Sequence, residues 1–218
     1  MMKKFFGIFM LTVMSIFIFA CSDSSAGFSA GDVCPESGRG TFIDERDGQV
    51  YKYTTIGDQI WMAENLKYNA EYSVCYDSLN GFCDTYGRFY SLQKNGDGLA
   101  ELDENLVASV CPAGWHVPSL AEWETMINEV GGMNNKESAK VIKKENSWEW
   151  GKTPNNQCGF SAIPAGAYFD DSFQVYLDFD AFFWTTTPRY EYYYSIHVEN
   201  EISLSVNFAR MSLRCVKD

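Results

Sequence analysis

The cysteines of this chain constrain its fold more than any other sequence feature. The 218-residue sequence contains seven of them, and the first, Cys21, directly follows an apolar N-terminal segment. The other six form an even set, which in an exported chain indicates a disulfide framework. They are Cys34, Cys75, Cys83, Cys111, Cys158 and Cys215. Their spacing alone leaves the pairing open, because six cysteines can be joined in many ways.

The N-terminal segment predicts export. Lys3 and Lys4 precede an apolar run over residues 5–19. A membrane-spanning helix needs about 20 apolar residues, so this run fits a secretory signal better, and we predict a signal peptide over residues 1–20. The run ends in Ile18-Phe19-Ala20-Cys21, which resembles the lipobox of bacterial lipoproteins. The resemblance implies lipidation of Cys21 and anchoring to a cell-envelope membrane, expected to be the outer membrane. The alternative is ordinary cleavage of the signal peptide, with release of the protein from the membrane.

Composition and charge set the domain organisation and exclude one class of partner. Residues 22–33 are rich in Ser, Gly, Ala and Asp, so we predict a lipid-anchored tether over residues 21–40 and one domain over residues 41–218. The chain has 17 basic and 29 acidic residues, a net charge of -12. Such a surface repels the phosphates of nucleic acid, so nucleic-acid binding is not expected.

Periodicity predicts strands at both ends of the domain and two helices between them. The β-branched and aromatic runs 49–56 and 59–62 flank Gly57-Asp58, a pattern typical of a tight hairpin. Ser119 and Glu122 form a capping box that predicts a helix beginning at Leu120, and a shorter helix is expected over residues 136–144. Further strands are predicted over residues 41–43, 86–92, 160–163, 181–186, 192–198, 202–208 and 213–216. This order indicates an α+β domain with a mostly antiparallel sheet.

Several sequence blocks, in order, resemble the Fibrobacter succinogenes major paralogous domain from about residue 41 to the end. The blocks cover residues 47–52, 56–66, 86–90, 111–119 with 122–123, 159–162, 164–166, 183–187 and 214–218. The resemblance implies an exported, often lipidated envelope domain of uncharacterised function. Four tryptophans lie in these blocks, and we predict that they are structural core anchors: Trp61, Trp115, Trp123 and Trp184.

The central block is also similar to formylglycine-generating enzymes and their C-type-lectin-like fold. Residues 114–123 and the Phe-Trp-Thr-Thr-Thr run 183–187 carry this resemblance. It implies a disulfide-braced, C-type-lectin-like domain in which a cysteine near the main helix bonds to one near the last strand. Cys111 would then pair with Cys215 and the neighbours Cys75 and Cys83 with each other, which leaves Cys34 for Cys158.

A run of tyrosines is the candidate ligand-binding site. Tyr190, Tyr192 and Tyr194 would lie on one face of an alternating strand, where exposed aromatic rings can stack on a glycan or a protein partner. The alternative is that most of these rings pack in the core or pair across strands.

No complete catalytic set is visible, so the chain is not expected to be an enzyme. The two histidines, His116 and His197, are interpreted as packed structural residues, and no nucleophile-elbow pattern accompanies them. The oxidase chemistry of formylglycine-generating enzymes uses two closely spaced cysteines near the C-terminus, whereas only Cys215 lies in the last segment.

Two acidic clusters make calcium a candidate cofactor, although no metal ligands are assigned. Asn95, Gly96, Asp97, Gly98, Glu101, Asp103 and Glu104 partly match an EF-hand loop, and Asp170, Asp171, Asp178 and Asp180 form the second cluster. Solvated loop carboxylates are the favoured interpretation of both.

Three functions therefore stay open for the chain. The favoured hypothesis is a lipid-anchored envelope protein with a binding or adhesion module for a glycan or a protein. The second is a structural envelope protein without a small ligand. The third is an oxidase- or hydrolase-like enzyme, for which a pair of free thiols in a cleft would be the distinguishing feature.

Overall fold

The computed structural model describes residues 29–75, 81–96, 100–149, 153–169, 173–207 and 209–218. The expected signal peptide, the lipidation site Cys21 and the acidic residues Asp97, Asp170 and Asp171 lie outside these ranges. Within the ranges, every helix is too short or too polar to cross a membrane.

The described chain is an α+β domain built from short elements. The strands are β1 (Gly40–Ile43), β2 (Val50–Ile56), β3 (Gln59–Met62), β4 (Ser73–Val74), β5 (Phe89–Tyr90), β6 (Trp115–His116), β7 (Ala167–Phe169), β8 (Phe173–Val175), β9 (Ala181–Arg189), β10 (Tyr192–Val198), β11 (Ile202–Asn207) and β12 (Val216–Lys217). The helices are α1 (Ala30–Val33), α2 (Phe82–Tyr86), α3 (Glu104–Val110), α4 (Leu120–Glu129) and α5 (Lys136–Ile142).

The largest sheet brings the two ends of the domain together. Its strand order is β1-β2-β3-β12-β6, and every neighbouring pair is antiparallel. The predicted hairpin is confirmed, since β2 and β3 pair around Gly57, which has a φ of 57°. Val216 on β12 pairs with Trp61 on one side and with His116 on the other. The last strand therefore lies inside this sheet.

A second antiparallel sheet, of order β11-β10-β9, carries the tyrosine run. Strands β9 and β10 are joined by a two-residue turn, Tyr190-Glu191, with Arg189 opposite Tyr192. The register shifts between Tyr193 and Ser195, which marks a β-bulge. Strands β4-β5 and β7-β8 form two further pairs of their own.

The main helix forms for the reason that the sequence suggests. The Ser119 hydroxyl accepts from the Glu122 backbone N–H and the Glu122 carboxylate accepts from the Ser119 backbone N–H, so the predicted capping box is confirmed. Helix α4 buries Trp123, Met126 and Ile127. Helix α5 begins after Asn135, whose side chain accepts from the Glu137 backbone N–H.

Several elements differ from the sequence prediction, among them the expected strand 213–216, of which only Val216 belongs to a strand, β12. The described chain has five α-helices rather than two, because α1, α2 and α3 were not predicted, and α3 is capped by Asp103. The expected strand 86–92 shrinks to β5, since α2 continues to Tyr86 and Gly87 has a φ of 80°. Residues 160–163 form only an isolated bridge from Ala162 to Lys143, because Ser161 has a φ of 57° and interrupts an extended path.

Three disulfides brace the domain. The structure joins Cys111 to Cys215, Cys75 to Cys83 and Cys34 to Cys158, with Cα–Cα distances of 6.0, 5.7 and 4.8 Å. Cys111–Cys215 is the pair that the C-type-lectin-like resemblance implies, and the other two are those expected from sequence proximity and by elimination. Cys34 is buried, so the folded domain extends back at least to that residue and takes in part of the expected tether.

The core consists of two main apolar clusters joined through tryptophans. Trp61, Trp123 and Trp184 are fully buried, and the rings of Trp61 and Trp123 are 4.6 Å apart. Trp123 Nε1 donates to the Trp184 carbonyl at 3.1 Å, and Trp184 Nε1 donates to the Tyr90 carbonyl at 2.7 Å. Trp115 is half-buried and stacks on Phe42 with ring centroids 4.4 Å apart. All four therefore contribute to packing, with Trp115 at its margin.

Candidate functional site

The turn between β9 and β10 presents an aromatic ring to solvent. Tyr190 is 92% exposed and has a φ of 54°. A two-residue hairpin turn favours Gly or Asn at such a position, because a positive φ strains a bulky residue. Strained positions occupied by an unfavourable side chain cluster at functional sites, so this tyrosine is a candidate for ligand contact.

An arginine organises the rings around this turn. Arg189 Nη1 donates to the Tyr194 hydroxyl at 2.6 Å. The guanidinium carbon lies 5.4 Å from the centre of the Tyr190 ring and 5.3 Å from that of Tyr194, within cation–π range. Arg189, Tyr190, Tyr192 and Tyr194 are hereafter called the turn cluster. Its polar groups and ring faces lie at one end of the sheet.

The expectation that Tyr190, Tyr192 and Tyr194 lie on one face of a strand is wrong for Tyr190, which lies in the turn before β10. Tyr193 belongs to the inner face, where its hydroxyl accepts from the Leu102 backbone N–H and its ring lies 6.3 Å from that of Trp184. Tyr192 and Tyr194 are half-buried. Val206 on β11 lies opposite Tyr194 and is 40% exposed, which extends an apolar surface from the turn cluster across the sheet.

The turn cluster has the chemistry to hold a ring with one apolar face and polar edges. An exposed phenol ring offers a flat apolar surface, while its hydroxyl and the neighbouring guanidinium offer hydrogen bonds. Sugar rings combine C–H faces with hydroxyl edges and match both.

A second group of functional side chains lies at the other end of the same sheet. Asp180, His197 and Glu199 bring possible metal-ligand atoms within 4.8 Å of one another, and His197 Nε2 lies 3.5 Å from Asp180 Oδ1. The His197 ring stacks on Phe182, and its Nδ1 faces the Ser203 hydroxyl at 3.4 Å. His197, interpreted from the sequence as a packed residue, is therefore both packed and close to carboxylates.

A buried lysine already supplies positive charge to this group. Lys143 Nζ donates to the Glu199 carbonyl at 2.8 Å and lies 3.8 Å from the centre of the Trp148 ring. Burial lowers the pKa of Lys143 to about 8, although Glu199 and Asp180 act in the opposite direction. A cation bound at Asp180 and His197 would have to compete with this ammonium group.

Two described carboxylates of the EF-hand-like loop, Glu101 and Asp103, make contacts with protein groups. Glu101 pairs with Lys94 at 2.9 Å, and Asp103 caps α3 by accepting from two backbone N–H groups. Among the residues that the structure describes, the one group of three possible metal ligands is that of Asp180, His197 and Glu199. Calcium at either acidic cluster stays a candidate, and solvated carboxylates stay the favoured interpretation.

His116 joins the main helix to the end of the chain. Its Nε2 lies 2.6 Å from Glu122 Oε1, and its Nδ1 lies 2.6 Å from Asp218 Oδ1. Burial disfavours the charged ring, but the hydrogen bonds to the two carboxylates outweigh that effect and raise the pKa of His116 above its ordinary 6.5. The protonated ring is therefore the form that the fold prefers.

Folding is expected to depend on pH through this contact. Because the folded pKa of His116 is raised, its stabilisation is complete below about pH 6.5 and is lost as pH rises through the folded value. The free energy of unfolding of the wild type minus that of His116→Gln, measured in urea from pH 5.5 to 8.5, should fall with rising pH. The same difference at every pH would mean that His116 is not held as the imidazolium.

Sequence reasoning missed the residues that complete these sites. Arg189 could have been found, because it directly precedes Tyr190 in the sequence. The approach of Asp180 to His197 depends on β9 and β10 pairing in one register, with Ala181 opposite Val198, which no local pattern reveals.

Comparison with known proteins gives one match. The model of the Fibrobacter succinogenes major domain matches residues 54–217, whereas no curated protein and no solved structure matches the chain. The first resemblance seen in the sequence is thereby confirmed, and the C-type-lectin-like fold remains a proposal. Because the match spans most of its length, the chain belongs to the Fibrobacter succinogenes major domain family.

Proposed function

We propose that this chain is a lipid-anchored protein of the bacterial cell envelope whose folded domain is a binding or adhesion module. The turn cluster is its ligand-binding surface. The observation that carries the proposal is Tyr190, a nearly fully exposed aromatic ring in a backbone conformation that favours Gly or Asn. Membership of a family with many envelope-associated paralogues supports the location.

The turn cluster favours a neutral glycan as the ligand. Its ring faces and hydrogen-bonding edges suit a sugar, and a net charge of -12 disfavours strongly anionic polymers. A protein partner is the alternative, and it would need a surface well beyond one turn, since stable interfaces bury about 800 Å² on each side.

Replacing Tyr190 with Asn should abolish most glycan binding without loss of stability. Asn tolerates a positive φ, so the substitution removes the ring while keeping the turn. We expect affinity for the best ligand on an array of neutral oligosaccharides to fall about tenfold, which corresponds to about 1.4 kcal/mol. Isothermal titration with that ligand and urea unfolding measure the two effects separately.

The chain offers a matched control for this substitution. Tyr176 is also exposed, at 55%, and has a φ of 64°, but it contacts Phe182 at the far end of β9. Tyr176→Asn should leave glycan binding unchanged. Equal loss in both variants, or no binding by the wild type to any neutral oligosaccharide, would count against the glycan. A purified envelope protein that binds the wild type but not Tyr190→Asn would favour the protein alternative.

The finer fold assignment, a C-type-lectin-like domain, is part of the same proposal. Its support is the Cys111–Cys215 disulfide, which ties the segment before α4 to the segment before β12. This is where the resemblance places such a bridge.

The domain is proposed to act without catalysis. Thiol-based oxidase chemistry needs a free pair of cysteines, and all six cysteines after Cys21 are joined in disulfides. A purely structural envelope role is the remaining alternative, and the oligosaccharide array distinguishes it from the binding module.

Replacing Cys21 with Ala should release the protein from the membrane. Acyl chains hold a protein on a bilayer through burial of their methylene groups, at about 0.8 kcal/mol each, and this variant has no thiol to acylate. Cell fractionation should show the variant in the soluble fraction. Metabolic labelling with a fatty-acid analogue should mark the wild type alone, and equal labelling of Cys21→Ala would contradict lipidation at this position.

A further inference from the structure

Arg214 is a buried cation that lacks a contacting counter-ion. Its side chain is 1% exposed. Its guanidinium donates to four neutral oxygens, namely Asn65 Oδ1 and the carbonyls of Met62, Phe160 and Ser161. Among the described residues, no carboxylate forms an ion pair with it. The guanidinium carbon also lies 4.6 Å from the centre of the Phe160 ring and 5.5 Å from that of Phe183, which offer ring faces but no opposite charge.

Burying a charge without an opposite charge is costly. Burial accordingly lowers the pKa of Arg214 to about 9, and the carboxylate of Glu64 offsets this only in part. An anion bound close to the guanidinium would supply the missing compensation.

A small cleft lies at this guanidinium, and four of the five charged residues that line it are cations. The cleft has a volume of about 90 Å³, and Arg214, Lys52, Lys67 and Lys144 line it against one carboxylate, that of Glu64. Within the described ranges, none of the three lysines forms an ion pair. Four cations around one cleft are unexpected in a chain with 29 acidic and 17 basic residues.

The four cationic side chains come from distant parts of the sequence and are brought together by the fold. Lys52 lies on β2, Lys67 follows β3 and Lys144 follows α5, while Arg214 precedes β12. The Glu64 carboxylate accepts from the Lys52 backbone N–H at 2.8 Å, so that carboxylate is held by the backbone of β2. The Thr85 hydroxyl adds a neutral hydrogen-bonding group to the lining.

We propose that this cleft binds a small oxyanion, a phosphate or sulfate group, between the three lysines and the buried Arg214. The lysine ammonium groups supply charge from the open side, and the guanidinium supplies it from the protein interior. The site lies apart from the turn cluster and does not depend on the glycan proposal. The group can be a free ion or part of a larger molecule such as a lipid headgroup.

The experiment measures stability and affinity with inorganic phosphate and sulfate as probes. The thermal midpoint of the purified full chain should rise with phosphate or sulfate concentration at constant ionic strength, because a ligand of the folded state stabilises it. Lys144→Gln and Lys67→Gln should each weaken binding about fivefold in isothermal titration, as expected for loss of one charge-assisted contact at an exposed site.

A matched variant distinguishes anion binding at the cleft from a general effect of protein charge. Lys136→Gln makes the same change of charge at an exposed position on α5 outside the cleft, and it should leave anion affinity unchanged. Equal weakening in Lys136→Gln and Lys144→Gln, or no response of the wild type to either anion, would overturn the proposal.

A vesicle-binding experiment distinguishes a free oxyanion from the phosphate of a lipid headgroup. It uses the chain with Cys21→Ala and vesicles containing phosphatidylglycerol. Vesicle binding that is lost on adding Lys144→Gln would identify a lipid headgroup. Binding of inorganic phosphate without vesicle binding would identify a soluble oxyanion.

Discussion

Trp123→Ala is expected to destabilise the protein by about 3–5 kcal/mol, the range for removing a fully buried tryptophan. The ring is completely buried and lies against Trp61, Phe160 and Phe183, with ring centroids 4.6, 5.8 and 5.5 Å away. Its loss also removes the hydrogen bond to the buried Trp184 carbonyl. Because alanine favours the helical backbone, α4 itself should persist. The loss compares with a total stability of about 5–15 kcal/mol for a typical domain.

Urea unfolding followed by circular dichroism measures this effect. Glu124→Ala is the matched control, because Glu124 is the next residue on α4 and its side chain is exposed. That variant should change the free energy of unfolding by less than about 0.5 kcal/mol. If Trp123→Ala instead kept wild-type stability and lost ligand binding, the tryptophan of this family block would be functional rather than structural.

Replacing both Cys111 and Cys215 with Ser should cost about 4–5 kcal/mol. The bond closes a loop of 104 residues, and the entropy lost by the unfolded chain on cross-linking grows with loop length. The same relation gives about 2.5 kcal/mol for Cys75–Cys83, whose sequence separation is 8. The long-range bond should therefore decide whether the domain stays folded, whereas the short one mainly fixes a local segment.

Non-reducing peptide mapping and urea unfolding of the two double-serine variants test these values together. Mapping should recover Cys111 joined to Cys215. A free Cys111 thiol, or Cys111 joined to Cys158, would contradict the pairing and remove the main support for the C-type-lectin-like fold. Equal costs for the two variants would mean that loop length does not govern their contribution.

Sequence patterns predicted those elements whose causes are local. The turn Gly57-Asp58 fixes the hairpin of β2 and β3, and Ser119 with Glu122 fixes the start of α4. Strand β10 matches its predicted range, 192–198, because a run of aromatic and β-branched residues favours a strand. Tyr190, in contrast, was expected on a strand with Tyr192 and Tyr194, and the structure places it in the turn before β10.

The remaining features depend on contacts between distant parts of the chain. The strand expected over residues 160–163 looks extended in sequence, yet the Ser161 backbone folds back and its carbonyl accepts from Arg214 Nη2. The cationic cleft draws its side chains from β2 and α2 and from the segments after β3, after α5 and before β12. Neither periodicity nor spacing contains information about which segments meet in this way.

The position of β12 inside the large sheet has a consequence for the order of folding during synthesis. Residue 216 pairs with residue 61, so the sheet that β1, β2 and β3 begin can be completed only after residue 216 has left the ribosome. Contacts between such distant residues also form slowly, because a long loop must close first. The large sheet therefore stays incomplete until late in synthesis, which fits the export that we propose.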